Sequence, residues 1–334
     1  MNKNLSFYVQ RYFSSYLIGQ HNYGKNTLAS YRDTFKLLLT FLAGNHQRKK
    51  NIPISDVDKT CILRFLTWLD AERGNSPATR NVRLAHLKSF FHYVRIENPA
   101  LADQCENVMS VPFTKVEKHP PEYMDVDSVS HMLHTVNPES RDGIRHLAIL
   151  SLLYDSGCRV QELIELKVKD IQFEKGQRIY VHGKGDKYRE IPITLSTEKI
   201  LKKYLKSFPY SGNDVLFTNR KGEPLTRQGI RYIMQKYAAE SKKSNPGDFS
   251  GAAHPHLLRH SKATHLVNAG VNIYNVRDFL GHTSVATTQI YLTSNPEVTR
   301  KAIENVASQT VPGSAEYYSA DEKQSLMEFL DTLI

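Results

Sequence analysis

The chain has 334 residues, a length that predicts about two domains. Its formal net charge of +10 favours a polyanionic partner, either nucleic acid or an anionic membrane surface. Three widely spaced cysteines without a CxxC pair exclude a cysteine-rich zinc module and fit a reducing compartment. The N-terminus is too polar for a signal peptide, and no apolar run approaches the ~20 residues that span a bilayer. We therefore expect a soluble, cytoplasmic protein.

Residues 1–107 show helical periodicity and no strand pattern, which predicts a compact domain of four or five helices. The second helix is predicted to begin at Asn26 or Thr27. The fourth has Ser76 as its N-cap and Pro77 at its first position.

That fourth helix carries three basic residues, Arg80, Arg83 and Lys88, and its apolar face is formed by Leu84, Leu87 and Phe91. Arg80 and Arg83 lie one turn apart, so they can point together at a phosphate backbone or into a major groove. A solvated basic face is the alternative, and the pattern leaves both interpretations open.

Residues 108–123 contain three prolines and no periodicity, which is typical of a linker. A second domain is predicted over 124–306. It begins with a helix capped by Asp125 or Asp127, followed by a strongly apolar helix. Two short runs rich in β-branched residues, QRIYVHG and YREIPIT, predict strands that flank a turn. Further helices are predicted around 194–207, 226–241, 256–269 and 272–280. The fold class is mainly α, α+β overall, with a small antiparallel sheet.

Three short motifs carry the chemically informative residues. In SGCRVQELIEL, Arg159 and Glu162 are three residues apart and can form an ion pair on a helix. In GKGDK, Lys184 lies between two glycines at the predicted turn, where a solvated lysine is the ordinary alternative. This segment lacks the GxxxxGK[ST] pattern and opens onto no helix, so we reject a nucleotide site.

The stretch HPHLLRHSKATHL places four histidines around Arg259. His256 and His260 are four residues apart and share a helix face, as zinc ligands often do. Yet an arginine at the centre and no acid within the motif make a cation site unfavourable, which argues against a zinc hydrolase. Downstream, His282 follows Gly281, and Tyr291 comes nine residues later.

In this order and at these distances, the motifs resemble the tyrosine site-specific recombinases, the phage-integrase family. The resemblance rests on SGCRVQELIEL, GKGDKYREIPI, HPHLLRHSKATHL, LGHTSVATTQIY and the helical region upstream, and it covers about residues 5–305. It implies an N-terminal core-binding domain that binds DNA and a C-terminal catalytic domain.

The resemblance also implies how a phosphodiester is broken without water. Tyr291 would attack phosphorus, leaving a 3′-phosphotyrosyl bond and a free 5′-hydroxyl. Arg159 and Arg259 would bind the non-bridging oxygens through their planar forks. Lys184 would protonate the departing 5′-oxygen.

The remaining site residues support these steps. His256 is expected to be the general base or acid near the tyrosine, and His282 to donate a hydrogen bond to the phosphate. Glu162 is expected to orient Arg159 or His256. His260 is expected to support the site without direct contact. None of these roles needs a metal or another cofactor.

Residues 307–334 predict a flexible linker and an amphipathic helix. Its apolar face includes Leu326, Phe329, Leu330 and Leu333. In the family that the chain resembles, such a segment is often exchanged between subunits of a tetramer on two DNA duplexes. We expect exchange within a homotetramer, with docking onto its own domain as the alternative.

The expected partner is double-stranded DNA with paired recombination sites, in the bacterial nucleoid and not at a membrane. The need for an accessory protein stays open. We expect a mobile-element integrase, with Xer-like dimer resolution as the alternative. A type IB topoisomerase and a non-catalytic DNA-binding regulator are further alternatives, the last disfavoured because all six expected catalytic positions are filled.

Overall fold

The computed structural model describes residues 4–45, 52–117, 121–174, 176–183, 187–208, 210–249, 251–292, 300 and 320–331. It forms two compact units, Met1–Lys118 and His119–Ile334. The predicted fold class, helical with one small antiparallel sheet, is confirmed.

The first unit contains five α-helices among its described residues. They are α1 (Leu5–Arg11), α2 (Lys25–Asn45), α3 (Lys59–Ala71), α4 (Pro77–Glu97) and α5 (Ala102–Met109). A π-helix, Tyr12–Gln20, continues α1. Side chains of Asn4, Asp58 and Ser76 accept hydrogen bonds from the first turns of α1, α3 and α4, which satisfies backbone donors that have no partner within the helix.

Aromatic rings fill the core of this unit. Tyr12 is fully buried, packs edge-on against Phe90 at 5.3 Å between ring centroids, and donates its hydroxyl hydrogen to Ser89 at 2.8 Å. Helix α5 ends at Met109, beyond the predicted domain end at residue 107, and Val111 is buried in the same core. The packed unit therefore extends into the predicted linker because apolar side chains there have a core to join.

The second unit contains eight α-helices and three strands among its described residues. They are α6 (Val126–His134), α7 (Arg141–Ser156), α8 (Val160–Glu165), β1 (Ile171–Gln172), β2 (Arg178–Gly183), β3 (Lys187–Pro192), α9 (Leu195–Lys206), α10 (Arg227–Ser244), α11 (Pro255–Asn268), α12 (Ile273–Leu280) and α13 (Ala320–Asp331).

The sheet is antiparallel in the order β1-β2-β3. Ile179 pairs with Ile191, and both are fully buried against the helices of the unit. Val181 pairs with Arg189 two positions along, so Arg189 lies on the same inward face as Ile191. This register aims a charged side chain at the interior of the unit.

The aromatic core predicts a large effect of Phe90→Ala, because Phe90 is fully buried on α4. The substitution should lower the free energy of unfolding of the first unit by about 3–5 kcal/mol. Trp68, the only tryptophan of the chain, packs against Phe65 in this unit, so its fluorescence during denaturation measures the change. Ile96→Ala, at a position 58% exposed on the same helix, should change it by less than about 0.5 kcal/mol. Equal losses would contradict this account of the core.

Candidate active site

A left-handed glycine at the end of α7 turns the chain toward Arg159. Gly157 has φ +55°, a conformation that glycine adopts without steric cost, and a Cβ there would lie 3.1 Å from the Phe279 ring. Arg159 is the N-cap of α8, and Glu162 lies in its first turn. The Glu162 carboxylate accepts hydrogen bonds from the Arg159 backbone N–H at 2.7 Å and from its Nη1 at 2.9 Å.

A second arginine, Arg189 from β3, binds the same carboxylate. Its Nη1 donates to Oε1 of Glu162 at 3.0 Å and its Nη2 to Oε2 at 2.8 Å. Glu162 is only 7% exposed, and burial alone would raise the pKa of its carboxyl. The charge and hydrogen bonds of Arg189 and Arg159 outweigh burial and hold that pKa below its ordinary value. Glu162 is therefore a carboxylate between two guanidinium groups.

Arg259 on α11 is buried and held by backbone carbonyls. Its Nη1 donates to the Gly157 oxygen at 2.6 Å and its Nη2 to the Leu280 oxygen at 2.8 Å. Burial, with the nearby charge of Arg159, lowers the pKa of Arg259 to about 10. Arg159 in turn donates from Nη2 to the Gly281 oxygen at 3.3 Å. The two predicted phosphate-binding arginines thus meet at the ends of α7 and α12.

The chain turns again after α12 and brings His282 and Tyr291 to this cluster. Gly281 caps α12 with φ +66°, and Nδ1 of His282 is hydrogen-bonded to Thr288 Oγ1 at 2.9 Å. The His282 and Tyr291 rings are stacked, with centroids 6.5 Å apart. Burial, then the charges of Arg259 and its neighbours, lowers the pKa of His282 to about 4, so this ring is neutral near pH 7.

The hydroxyl of Tyr291 is hydrogen-bonded to Nδ1 of His260 at 2.7 Å. The sequence-based interpretation expected His256 near the tyrosine and His260 in a supporting role. In the structure the hydrogen bond to the hydroxyl is made by His260, and the catalytic roles of both histidines stay predictions. The His256 ring lies 6.5 Å from the His260 ring, one helical turn away from this hydrogen bond.

The packing of Tyr291 explains this arrangement. Tyr291 is 3% exposed and packs in one cluster with Ala263, Val276 and Leu280. Ala263 follows His260 by one turn of α11. Packing against Ala263 therefore places the phenol ring beside the middle of that helix and not beside His256 near its N-terminus. Burial raises the pKa of Tyr291, and burial with the neighbouring His256 lowers that of His260 to about 4.

Lys184 lies outside the described residues. The strands that flank it in the chain end at Gly183 and resume at Lys187. Its role as the acid for the leaving oxygen stays a prediction.

The three basic residues of α4 make contacts within the first unit. Arg80 Nη1 donates to Thr114 Oγ1 at 2.6 Å, and Arg83 Nη1 donates to Thr34 Oγ1 at 3.0 Å. The ammonium of Lys88 lies 4.5 Å from the centroid of a phenylalanine ring. These contacts fix the segment after α5 and the neighbouring helix α2. Contact of the same side chains with DNA stays a prediction.

In the C-terminal helix α13, three of the four predicted partner residues are described. Leu326, Phe329 and Leu330 are 42%, 57% and 48% exposed. Leu333 lies outside the described residues. Exchange of this helix between subunits stays a prediction.

No helix in the described part of the chain has both the length and the apolar character required to cross a bilayer. The same residues contain no group of three or more histidine, cysteine, aspartate or glutamate side chains placed to hold a metal ion.

Comparison with known protein families assigns most of the chain. Residues 122–297 match the phage integrase family, and residues 9–98 match the N-terminal SAM-like domain of phage integrases. The chain belongs to the phage integrase family of tyrosine recombinases. These enzymes cleave DNA strands and rejoin them.

Two curated relatives span nearly the whole chain. A putative integrase/recombinase of Sinorhizobium fredii is 32% identical over 330 residues, covering 98% of this chain and 96% of that protein. The tyrosine recombinase XerD of Listeria monocytogenes is 31% identical over 306 residues, covering 90% of this chain and 97% of XerD.

Two solved structures share the fold. The XerH recombinase bound to its difH substrate has a TM-score of 0.65 at 24% identity, covering 84% of this chain and 80% of that one. The Tn1549 transposon integrase bound to a circular-intermediate DNA has a TM-score of 0.67 at 19% identity, covering 90% and 98%.

Sequence reasoning missed Arg189, although a signal for it is present. In KYREIPI, Ile191 and Ile193 alternate inward, and Arg189 shares their face. An arginine on the apolar face of a strand requires a carboxylate partner. Nothing in the local pattern identifies Glu162 as that partner, because the two residues are 27 positions apart.

The ion-pair network predicts that Glu162→Gln lowers the free energy of unfolding by an amount that depends on pH. The variant should lose about 3 kcal/mol of unfolding free energy near neutral pH, because a neutral amide leaves two partly buried guanidinium groups without their counter-charge. The wild-type carboxylate has a pKa below the ordinary value of 4.5. Its contribution is therefore complete above about pH 4.5 and is lost as the pH falls through the folded pKa, so the difference should shrink in acid. Denaturant unfolding followed by circular dichroism measures it.

Glu165→Gln, at an exposed position on the same helix, is the matched control and should lose less than about 0.5 kcal/mol. A difference between wild type and Glu162→Gln that stays constant down to pH 3 would contradict the assigned ionisation.

Proposed function

We propose that this recombinase cuts DNA with the Tyr291 hydroxyl as nucleophile, and that Arg159 and Arg259 bind the phosphate under attack. The observation that carries the proposal is the convergence of a buried phenol, two arginines and two histidines with lowered pKa values on α11 and at the ends of α7 and α12. The established family membership supplies the reaction type, and the geometry supplies the candidate residues.

The two arginines are suited to different tasks. Arg159 has a side chain 37% exposed, so part of its guanidinium is accessible to a ligand. Arg259 is 4% exposed and keeps two of its donors on carbonyl oxygens. Fixed positive charge in a partly dry site stabilises the additional negative charge of a pentavalent phosphorus without reorganisation. Arg159 would bind the phosphate through its exposed part, and Arg259 through its remaining N–H donors, while the carbonyl hydrogen bonds of Arg259 hold the surrounding backbone.

The hydroxyl of Tyr291 has Nδ1 of His260 as its hydrogen-bond partner in this arrangement. Attack on phosphorus requires His260 either to take the hydroxyl proton or to release the hydroxyl. His256, one turn earlier on α11, remains the proposed proton carrier when DNA occupies the site. Lys184, which follows β2 in the sequence, remains the proposed acid for the 5′-oxygen. No step requires a metal or ATP, since the phosphotyrosyl bond conserves the phosphodiester energy.

We further propose that the enzyme serves a mobile genetic element. The similarity to the putative integrase/recombinase of Sinorhizobium fredii over 98% of the chain supports this role. Xer-like resolution of chromosome or plasmid dimers is the second candidate, supported by the XerD and XerC relatives. Inverted repeats in the DNA flanking the gene would favour the first role, and their absence would favour the second.

We also propose assembly as a homotetramer on two DNA sites, with α13 exchanged between subunits. The exposed apolar side chains of Leu326 and Leu330 support this, because an exposed apolar helix face is typical of a docking surface.

A suicide DNA substrate, nicked near the cleavage point so that religation fails, tests the nucleophile. Wild-type protein should form a covalent protein–DNA adduct even when EDTA removes metal ions, because the proposed nucleophile and the groups that bind the phosphate are side chains. Tyr291→Phe should form none, since it lacks only the hydroxyl oxygen. An adduct formed by Tyr291→Phe would refute the assignment. Relaxation of supercoiled plasmids without a recombination site would favour the topoisomerase alternative, and absence of any wild-type adduct would favour the non-catalytic regulator.

Deletion of residues 319–334 tests the assembly. The truncated protein should bind a single site with nearly wild-type affinity but lose at least about tenfold in the formation of paired-site complexes, because the helix would contact a neighbouring subunit. Gel-shift titrations with one-site and two-site DNA measure both. Gln324→Ala, in the same helix, is the control and should change neither. An equal loss in both complexes would argue for docking onto its own domain.

A further inference from the structure

We infer that Arg189 is a positioning residue for strand cleavage, holding Arg159 in its phosphate-binding orientation through the shared carboxylate of Glu162. This inference rests on the proposed role of Arg159. Its basis is a set of contacts that join the sheet, α8 and the end of α12 through one side chain.

The strand register determines where Arg189 points. Its neighbours on the inward face, Val181 across the sheet and Ile191 along β3, are buried at 1% and 0% exposure. The Arg189 side chain is only 14% exposed. An arginine in such surroundings is stable only with a matched anion, and Glu162 provides it through two parallel hydrogen bonds.

All four acceptor positions of the Glu162 carboxylate are occupied. Oε1 accepts from Nη1 of Arg159 and from Nη1 of Arg189, and Oε2 accepts from the Arg159 backbone and from Nη2 of Arg189. A carboxylate bound by a rigid fork on one side cannot rotate without breaking two hydrogen bonds. Arg189 is the more buried of the two arginines, so it anchors the carboxylate while Arg159 extends toward solvent.

The same side chain also contacts the chain before His282. Nε of Arg189 donates to the Phe279 oxygen at 3.3 Å. The guanidinium crosses directly over Gly281, where a Cβ would lie 2.8 Å from Nη1 of Arg189. Arg159 binds the carbonyl of this same glycine. Arg189 therefore binds one of the two acceptors that orient Arg159, the Glu162 carboxylate, and lies against the glycine that carries the other, the Gly281 carbonyl.

Substrates that differ in charge at the scissile phosphate distinguish this positioning role from a structural one. In a methylphosphonate, a methyl group replaces one non-bridging oxygen, so the uncharged centre has little need of an arginine. Arg189→Gln should slow single-turnover cleavage of the phosphate substrate by about 100-fold, the size of effect that a misplaced catalytic group produces. On the methylphosphonate the loss should be less than about 5-fold, and DNA affinity should be unchanged on both.

Two further variants keep the test decisive. Arg189→Lys retains the charge but not the fork, and should be about 10-fold slower on the phosphate substrate alone even if the glutamine variant fails to fold. Arg178→Gln removes the outward-facing ion pair of Arg178 with Glu190 in the same sheet and should cleave both substrates at the wild-type rate.

Equal slowing of both substrates by the Arg189 variants would show a merely structural role and overturn the inference, as would wild-type rates. Arg159→Ala is measured in parallel and should also be slow on the phosphate substrate alone. If Arg159→Ala is equally slow on both substrates, the proposed phosphate role of Arg159 fails, and the inference about Arg189 fails with it.

Discussion

The arrangement of the site depends on one buried carboxylate that balances two arginines. Glu162 is 7% exposed and remains ionised because Arg159 and Arg189 bind both of its oxygens. A buried carboxylate without such partners would be protonated, and buried guanidinium groups without it would carry a large desolvation cost. The ion-pair network therefore needs all three side chains. It connects α8 to β3 and to the end of α12.

Two left-handed glycines bring the other parts of the site to this network. Gly157 and Gly281 end α7 and α12 with φ of +55° and +66°, and the backbone oxygens at these ends bind Arg259 and Arg159. Exposed carbonyls at the C-terminal end of a helix carry partial negative charge, which suits a guanidinium. The protein can thus hold two permanent positive charges close together before DNA arrives, which prepares the site for a phosphate.

Much of this was predictable from the sequence, because helix periodicity, capping residues and β-branched runs are local signals. The helix predicted around 194–207 is α9, Leu195–Lys206, and the strands flanking Lys184 lie where predicted. The hydrogen bond between His260 and Tyr291 was not predictable, because it depends on how the segment after α12 packs against α11. The partner of Arg189 was hidden for the same reason. The alternation of apolar residues in β3 predicts that Arg189 points inward. Its contact with Glu162 joins residues 27 positions apart, so only the folded structure reveals it.

The central claim is that Arg189 and Arg159 act as one unit through Glu162, and a double-mutant cycle tests it most directly. Single-turnover cleavage rates would be measured for wild type, Arg159→Ala, Arg189→Gln and the double variant on the ordinary phosphate substrate. If the two residues act through one carboxylate, Arg189→Gln should slow the Arg159→Ala enzyme by less than about threefold, although it strongly slows the wild type. Effects that multiply, so that Arg189→Gln costs as much with or without Arg159, would contradict the account.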